Sequence, residues 1–332
     1  MNAPFQYTQD DADAYPTFEE ALQQIGNEEG HMPDPDSLYG LSGLTDTQLM
    51  DFQRAWDSLG MTQKHVLLQM MVDVSDSNQD MDFERIGILA MSDADAQIRQ
   101  VALELLSESE TFETLHVLMH ALSHDESLLV RSGAGRALGN FVLLGELGKI
   151  RERHVEPVLQ RLFQLLEDRQ ESVLLRSAAL ESISNSSHTN VMTHINEAYR
   201  SDDPDLHLSS VIAMGHTCDD RWADIILEEL ENNDEAVRVA AARAAGELQI
   251  EEAVPALIRI YNEGDSEARM TVAWSLGEIG GREAMRLLEH ALEDAEEADD
   301  VILMDIIDDA IGNASLLSGD LMLGDFDMPT DD

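Results

Sequence analysis

Three glycines, Gly215, Gly246 and Gly277, stand 31 residues apart, and this spacing constrains the fold more than any other feature of the chain. A fixed period of that length marks a repeat architecture, in which one short supersecondary unit recurs. Eight residues before the glycines lie His207, Arg238 and Arg269. Ser184 with Arg176 extends the frame by one more period toward the N-terminus. Gly139 with Arg131, Ser107 with Arg99, and Gly312 with Met304 share the eight-residue offset. Seven units are expected, less evenly spaced toward the two ends.

The clearest copies read DEAVRVAAARAAGELQIEEAVPALIRIYNEG, from Asp234, and DSEARMTVAWSLGEIGGREAMRLLEHALED, from Asp265. Each opens on an Asp placed to cap a helix, its carboxylate accepting from backbone N–H groups that have no intrahelical partner. In the first copy Val237, Ala240, Ala241, Ala244 and Leu248 recur at helical spacing and mark the buried stripe. A second helix is expected to start near Glu251, with Pro255 in its first turn, where a missing N–H is tolerated. One helix pair of this size cannot cover its own apolar stripe, whereas stacked pairs share a continuous core. Aromatic residues are only 5% of the chain, so packing falls to Ala, Leu, Val and Ile, which favours close helix–helix contact.

The pattern D-x-x-V-R-x-x-A-x-x-A-x-G followed by A-V-P-x-L resembles HEAT repeats, in particular the HEAT-like repeats of phycobilisome lyases. The resemblance runs over roughly residues 93–315 and is strongest from Pro204 to Asp294. It implies an all-α fold, an α-α superhelix or solenoid of helical hairpins. It also implies ladders of Asp and Arg between adjacent units, which would give Asp234, Arg238, Asp265, Arg269, Arg131 and Arg176 structural roles.

Four segments are expected. Residues 1–43 are acidic and punctuated by Pro and Gly, hence mostly flexible, with FEEALQQIG able to form one short helix. Residues 44–92 hold two amphipathic helices, LTDTQLMDFQRAWDSLG and MTQKHVLLQMMVDV, that cap the repeats. The solenoid covers 93–317. The tail 318–332, SGDLMLGDFDMPTDD, alternates acids with apolar residues, as a flexible end or a docking peptide does. One step departs from the frame: Gly139 to Ser184 is 45 residues. The excess falls around FVLLGELGKIRERHVEP, read as a longer loop, and carries the basic cluster Lys149, Arg151, Arg153 and His154.

The formal charge is −47, with no Lys or Arg from Met1 to Gly40 or after Arg286. A field of that sign repels phosphates and anionic headgroups, so direct binding of nucleic acid or of a membrane surface is not expected. A basic or mixed-charge protein partner is. Cys218 is the one cysteine, so no disulfide framework exists. Asp219 and Asp220 beside it should raise its thiol pKa, the wrong direction for a reactive thiolate. With no basic, apolar leader and no apolar run of bilayer length, the cytoplasm is the expected compartment.

Motifs for chemistry fail on inspection. His116 and His120 share a helical face, with His124 one turn on, but Val117 stands where a zinc protease carries Glu. DSNQD, from Asp76, opens like a calcium loop, yet Met81 and Gly87 fall where that loop needs Gly and a bidentate acid. Neither lysine belongs to a phosphate-binding loop, and no G-x-S-x-G occurs. Among enzymes on related repeats, deoxyhypusine hydroxylases bind iron through His-Glu dipeptides, and this chain has none. Bilin lyases need a chromophore groove, for which no diagnostic residue stands out. No cofactor and no metal are expected.

The remaining candidate is a surface. Residues nine after the Arg position are Glu108, Asn140, Asn185, His216, Glu247, Glu278 and Asn313, all polar. Residues five after it are Glu104, Arg136, Glu181, Ile212, Arg243, Trp274 and Asp309. The two columns share one helical face, and Arg136, Glu181, Arg243, Glu247, Trp274 and Glu278 are the expected partner-binding residues. The function expected is a non-catalytic scaffold or adaptor. The alternatives are a repeat-family enzyme or bilin lyase-like protein, and an acidic mimic of nucleic-acid charge.

Overall fold

A computed structural model describes residues 15–25, 34–78 and 80–317, all helix, turn or connection, with no strand among them. It divides at residue 182 into two compact units.

The first unit opens with α1 (Phe18–Ile25) and a 3-10 turn at Pro35–Leu41. Helix α1 falls on FEEALQQIG, the segment able to form one short helix within the stretch 1–43 expected to be mostly flexible. Phe18, Ala21, Ile25, Leu38 and Leu41 are buried in one cluster with Phe52 and Trp56. Two short amphipathic pieces that cannot bury their apolar faces alone do so against a neighbouring helix. Residues 1–14, 26–33 and 318–332 lie outside the described residues.

Two helices follow in the segment where they are expected, α2 (Asp46–Ser58) and α3 (Met61–Ser77). Thr45 and Gln48 start α2 with reciprocal side-chain-to-backbone bonds. The pairs then run α4 (Glu84–Ala90) with α5 (Ala96–Leu106), α6 (Phe112–His124) with α7 (Leu128–Glu146), and α8 (Glu152–Glu167) followed by α9 (Val173–Ile183). Within the unit α3 packs on α5 and α5 on α7, while α4 and α6 pack behind their partners.

The 45-residue step is not a long loop. Phe141, Val142 and Leu144 are buried, so the apolar stripe carries α7 past Gly139 to Glu146. Gly148, at φ +70°, makes the turn, and α8 begins at Glu152. Lys149 reaches Glu110 at 3.0 Å, and the His154 ring meets Phe112 at 4.5 Å between centroids.

The second unit holds α10 (Val191–Tyr199), α11 (Pro204–His216), α12 (Ala223–Glu229), α13 (Glu235–Glu247), α14 (Val254–Glu263), α15 (Ser266–Ile279), α16 (Gly281–Ala298) and α17 (Val301–Leu317). Asp234 and Asp265 cap α13 and α15, and Pro255 sits in the first turn of α14. Helices α11, α13, α15 and α17 pack in succession, each backed by its hairpin partner. This is the stacked-hairpin construction of a solenoid.

The glycine period now has a physical cause. A Cβ on Gly215 would lie 2.9 Å from Ala244 Cα, on Gly246 2.7 Å from Ser275 Cα, and on Gly277 2.8 Å from Ala310 Cα. Each glycine therefore admits the backbone of the next helix, at a residue that is itself small. Gly312, last in the series, has no atom within 4 Å of such a Cβ.

The ladder expected from the resemblance is only partly built. Arg99 grips Asp125 with two bonds, Nε–Oδ2 at 2.7 Å and Nη2–Oδ1 at 2.8 Å, and Arg131 reaches Glu171 at 3.5 Å. Arg238 instead donates to the carbonyls of Asn232 and Asn233 in its own preceding loop.

Candidate partner-binding site

The six expected residues fall in both units. In the first, Arg136 on α7 donates through Nε to Glu181 Oε2 on α9 at 2.6 Å, and through Nη2 to Oε1 at 3.4 Å. Glu181 is only 8% exposed, so this pair ties two helices and presents mainly the guanidinium side. Beside it, Ser182 Oγ donates to the Gly135 carbonyl at 2.7 Å. Arg136 also borders a trough of about 650 Å³ with Val72, Leu103, Leu129 and Leu174.

In the second unit three of the four residues meet. The Arg243 guanidinium lies 4.3 Å above the Trp274 ring of the next helix. Its Nε donates to Glu247 Oε1 at 3.2 Å, one turn along α13. A cation over an indole face is attracted by the ring quadrupole, by about 0.5–1 kcal/mol where solvent reaches it. The cluster is asymmetric in access: the Arg243 side chain is 57% exposed, Glu247 only 17%. Glu247 is hemmed in because its carboxylate lies over Gly215 of α11, where any Cβ would collide with it. Trp274 is half-buried rather than openly exposed, covered on one face by Arg243. Glu278 accepts from Asn313 Nδ2 at 3.2 Å, one helix further on.

The polar column is thus partly laced together across repeats. Ser184 Oγ and His216 Nδ1 lie 3.2 Å apart, and Asn140 Nδ2 donates to the Ser109 carbonyl. Such cross-repeat bonds fix side-chain rotamers, and a surface ordered in advance loses less entropy on binding.

Two features escaped the sequence reading. The first is a groove of about 610 Å³ running along α13 between α11 and α15. Its floor is Ala236, Ala240 and Ala244, spaced by four, and Leu208, Ile212 and Val239 flank them. Ala240, expected in the buried stripe, is half-buried in this groove. The alanine spacing was the available signal, since small residues on one helical face open a trough.

The second is a polar cluster around Glu229, which is only 5% exposed. Its carboxylate accepts from Tyr199 OH at 2.8 Å and Asn232 Nδ2 at 2.6 Å, and His207 Nε2 lies 3.3 Å away. Burial, and then the bond to Glu229, push the Tyr199 hydroxyl pKa well above its ordinary value. His207 occupies the repeat's Arg position, and its departure from Arg was the visible hint.

Cys218, at φ +49°, has its thiol pKa raised by partial burial and then by Glu247. The direction is the expected one, but the carboxylate responsible lies on α13 and is not Asp219 or Asp220.

Residues 223–303 match the family model described as HEAT repeats. Comparison with curated proteins finds no match. Similar solved structures include the Escherichia coli protein YibA, at 14% identity, covering 95% of this chain and 99% of that one, with a TM-score of 0.38. Human deoxyhypusine hydroxylase is 16% identical over 79% of this chain and 95% of its own, with a TM-score of 0.36. Importin beta is 12% identical over 91% of this chain but 42% of its own, with a TM-score of 0.40. No helix among the described residues is long and apolar enough to cross a membrane.

Proposed function

We propose that this chain, whose residues 223–303 are HEAT repeats, is a non-catalytic scaffold that holds a protein partner on the ridge of its glycine-bearing helices. The observation that carries the reading is the cluster of Arg243, Trp274 and Glu247. Tryptophan and arginine are the residue types most enriched where a few contacts supply most of the binding energy. Here they are pre-ordered against each other across two helices, and the guanidinium still faces solvent. Arg136 presents a similar pre-ordered guanidinium in the first unit, with Glu181 as its anchor. Glu278 extends the ridge toward α17.

The test is affinity capture from the native cell with mass spectrometry, followed by titration of the captured protein against variants. Trp274→Ala should weaken the complex by about 2 kcal/mol or more, roughly thirtyfold. Glu247→Arg should weaken it as well, by placing a second cation beside Arg243. Trp274→Ala should melt within a few degrees of the parent, because its half-buried ring lies over the core and not inside it, whereas Glu247→Arg, at a position pressed against Gly215, should also lower the melting temperature. A partner bound equally by the parent and both variants would remove the ridge from consideration. A sharp fall in the melting temperature of Trp274→Ala would make that residue part of the core.

A further inference from the structure

We infer that the groove along α13 seats a basic peptide segment, with arginine or lysine heads at Glu235 and Glu267 and aliphatic stems on the alanine floor. The inference rests on the scaffold reading and names the chemistry of its partner.

The floor and walls come first. Ala236, Ala240 and Ala244 leave a shallow channel because their side chains end at Cβ, while Leu208, Ile212 and Val239 stand beside them half-buried. A surface of this kind gains from covering by methylene groups. The long stems of Lys and Arg supply methylenes while keeping the charged head in water. The walls are helices, so an incoming segment finds no strand edge and is held mainly by side chains.

Charge selects the heads. Four carboxylates line the groove, Glu235, Glu247, Asp265 and Glu267, against one guanidinium, that of Arg243. Glu247 is committed to Arg243, and Asp265 caps α15 through the Ala268 N–H at 3.0 Å. Glu235 and Glu267 are exposed, carry no ion pair or hydrogen bond among the described residues, and stand in the first turns of α13 and α15. The Arg243 charge, which would repel a basic ligand, is at the opposite end and is engaged by both Glu247 and Trp274. The two free carboxylates therefore set the sign of what the groove accepts. An acidic segment would meet them with only Arg243, at the far end and already engaged by Glu247, to offset the repulsion.

The experiment uses the full chain and two fluorescein-labelled peptides, one alternating arginine and leucine, the other alternating glutamate and leucine. Fluorescence anisotropy should show binding of the first and none of the second. Replacing Glu235→Gln together with Glu267→Gln should weaken the arginine peptide about tenfold. An equal charge change on exposed acids of α16, Glu283→Gln with Glu289→Gln, should alter it by less than about twofold. Ala240→Leu, which fills the channel from an incompletely buried position, should also weaken binding while keeping the parent melting temperature.

Equal losses from the groove pair and the α16 pair would mean attraction to overall charge and would overturn the assignment. So would binding of the glutamate peptide, failure of the arginine peptide to bind, or a dimer in light scattering that Ala240→Leu abolishes, since the groove would then belong to a second copy. The scaffold reading keeps its own readout, the effect of Trp274→Ala on the captured partner. A chain that retains that effect and fails this titration loses the groove and keeps the ridge.

Discussion

Gly246 shows how one residue sets the distance between two helices. Adding a methyl there gains up to about 1 kcal/mol of helix propensity. It also drives a Cβ to 2.7 Å from the Ser275 backbone, and overpacking of a tight contact costs about 1–3 kcal/mol. The collision is with backbone, which cannot rotate away, so the steric cost wins. Gly246→Ala should lower stability by roughly 1–2 kcal/mol in urea unfolding. Gly312→Ala, with open space around its Cβ, should raise stability or leave it unchanged. The reverse order would mean that the glycines serve flexibility and not close approach. The sequence carried this information in its period, but not the reason for it: Ala244, Ser275 and Ala310 are small at the matching place, and only contact shows that they are the partners.

Between elements, the pair that ties α5 to the start of α7 titrates. Burial opposes ionisation of Asp125, but two bonds from Arg99 and the Ser127 N–H outweigh it and hold the carboxyl below its ordinary pKa. A depressed folded-state pKa means that the unfolded chain takes up the proton more readily. The stabilisation is therefore present above the unfolded value, near pH 4, and is lost as pH falls through the lower folded value. Asp125→Asn keeps the cap to Ser127 and removes the charge, and should cost about 2 kcal/mol at neutral pH. The gap between parent and variant should close as pH drops below about 4. A gap that stays constant down to about pH 3 would show that the charge contributes nothing. At this scale the sequence was legible where a signal is local. The Asp caps, the Pro255 turn and helices α2 and α3 could be placed because each depends on a few adjacent residues. The burial of α1 and of Pro35–Leu41 could not, since it depends on Phe52 and Trp56, distant in the chain. The 45-residue step from Gly139 to Ser184 suggested a longer loop, but the buried face of Phe141, Val142 and Leu144 carried α7 onward. Of the candidate site, the two columns followed from the repeat frame. The contacts that divide them into pairs did not, because Arg243 could equally have faced solvent alone.

Over the whole molecule, 67 acidic residues face 20 basic ones. Several cations are already engaged, as in Arg99–Asp125, Arg136–Glu181 and Lys64–Asp93. Most carboxylates therefore see other carboxylates, and self-repulsion opposes the compact state. Raising sodium chloride from about 0.02 to about 0.5 M shortens the screening length from over 20 Å to about 4 Å. The melting temperature should rise by several degrees, while binding of an arginine peptide at the groove should weaken over the same range. A melting temperature that falls with salt would mean that the ion pairs outweigh the repulsion. The glycine contacts carry a further consequence. The surface by which α13 leaves toward α15 is built like the surface by which α11 leaves toward α13, a glycine eight residues after the Arg position against a small residue six after it. A segment whose outgoing face fits its own incoming face is an interchangeable cassette. One period of 31 residues, from Asp234 to Gly264, could be copied in tandem, its Gly246 meeting a second Ala244 in place of Ser275, and the chain would lengthen without any junction having to be invented.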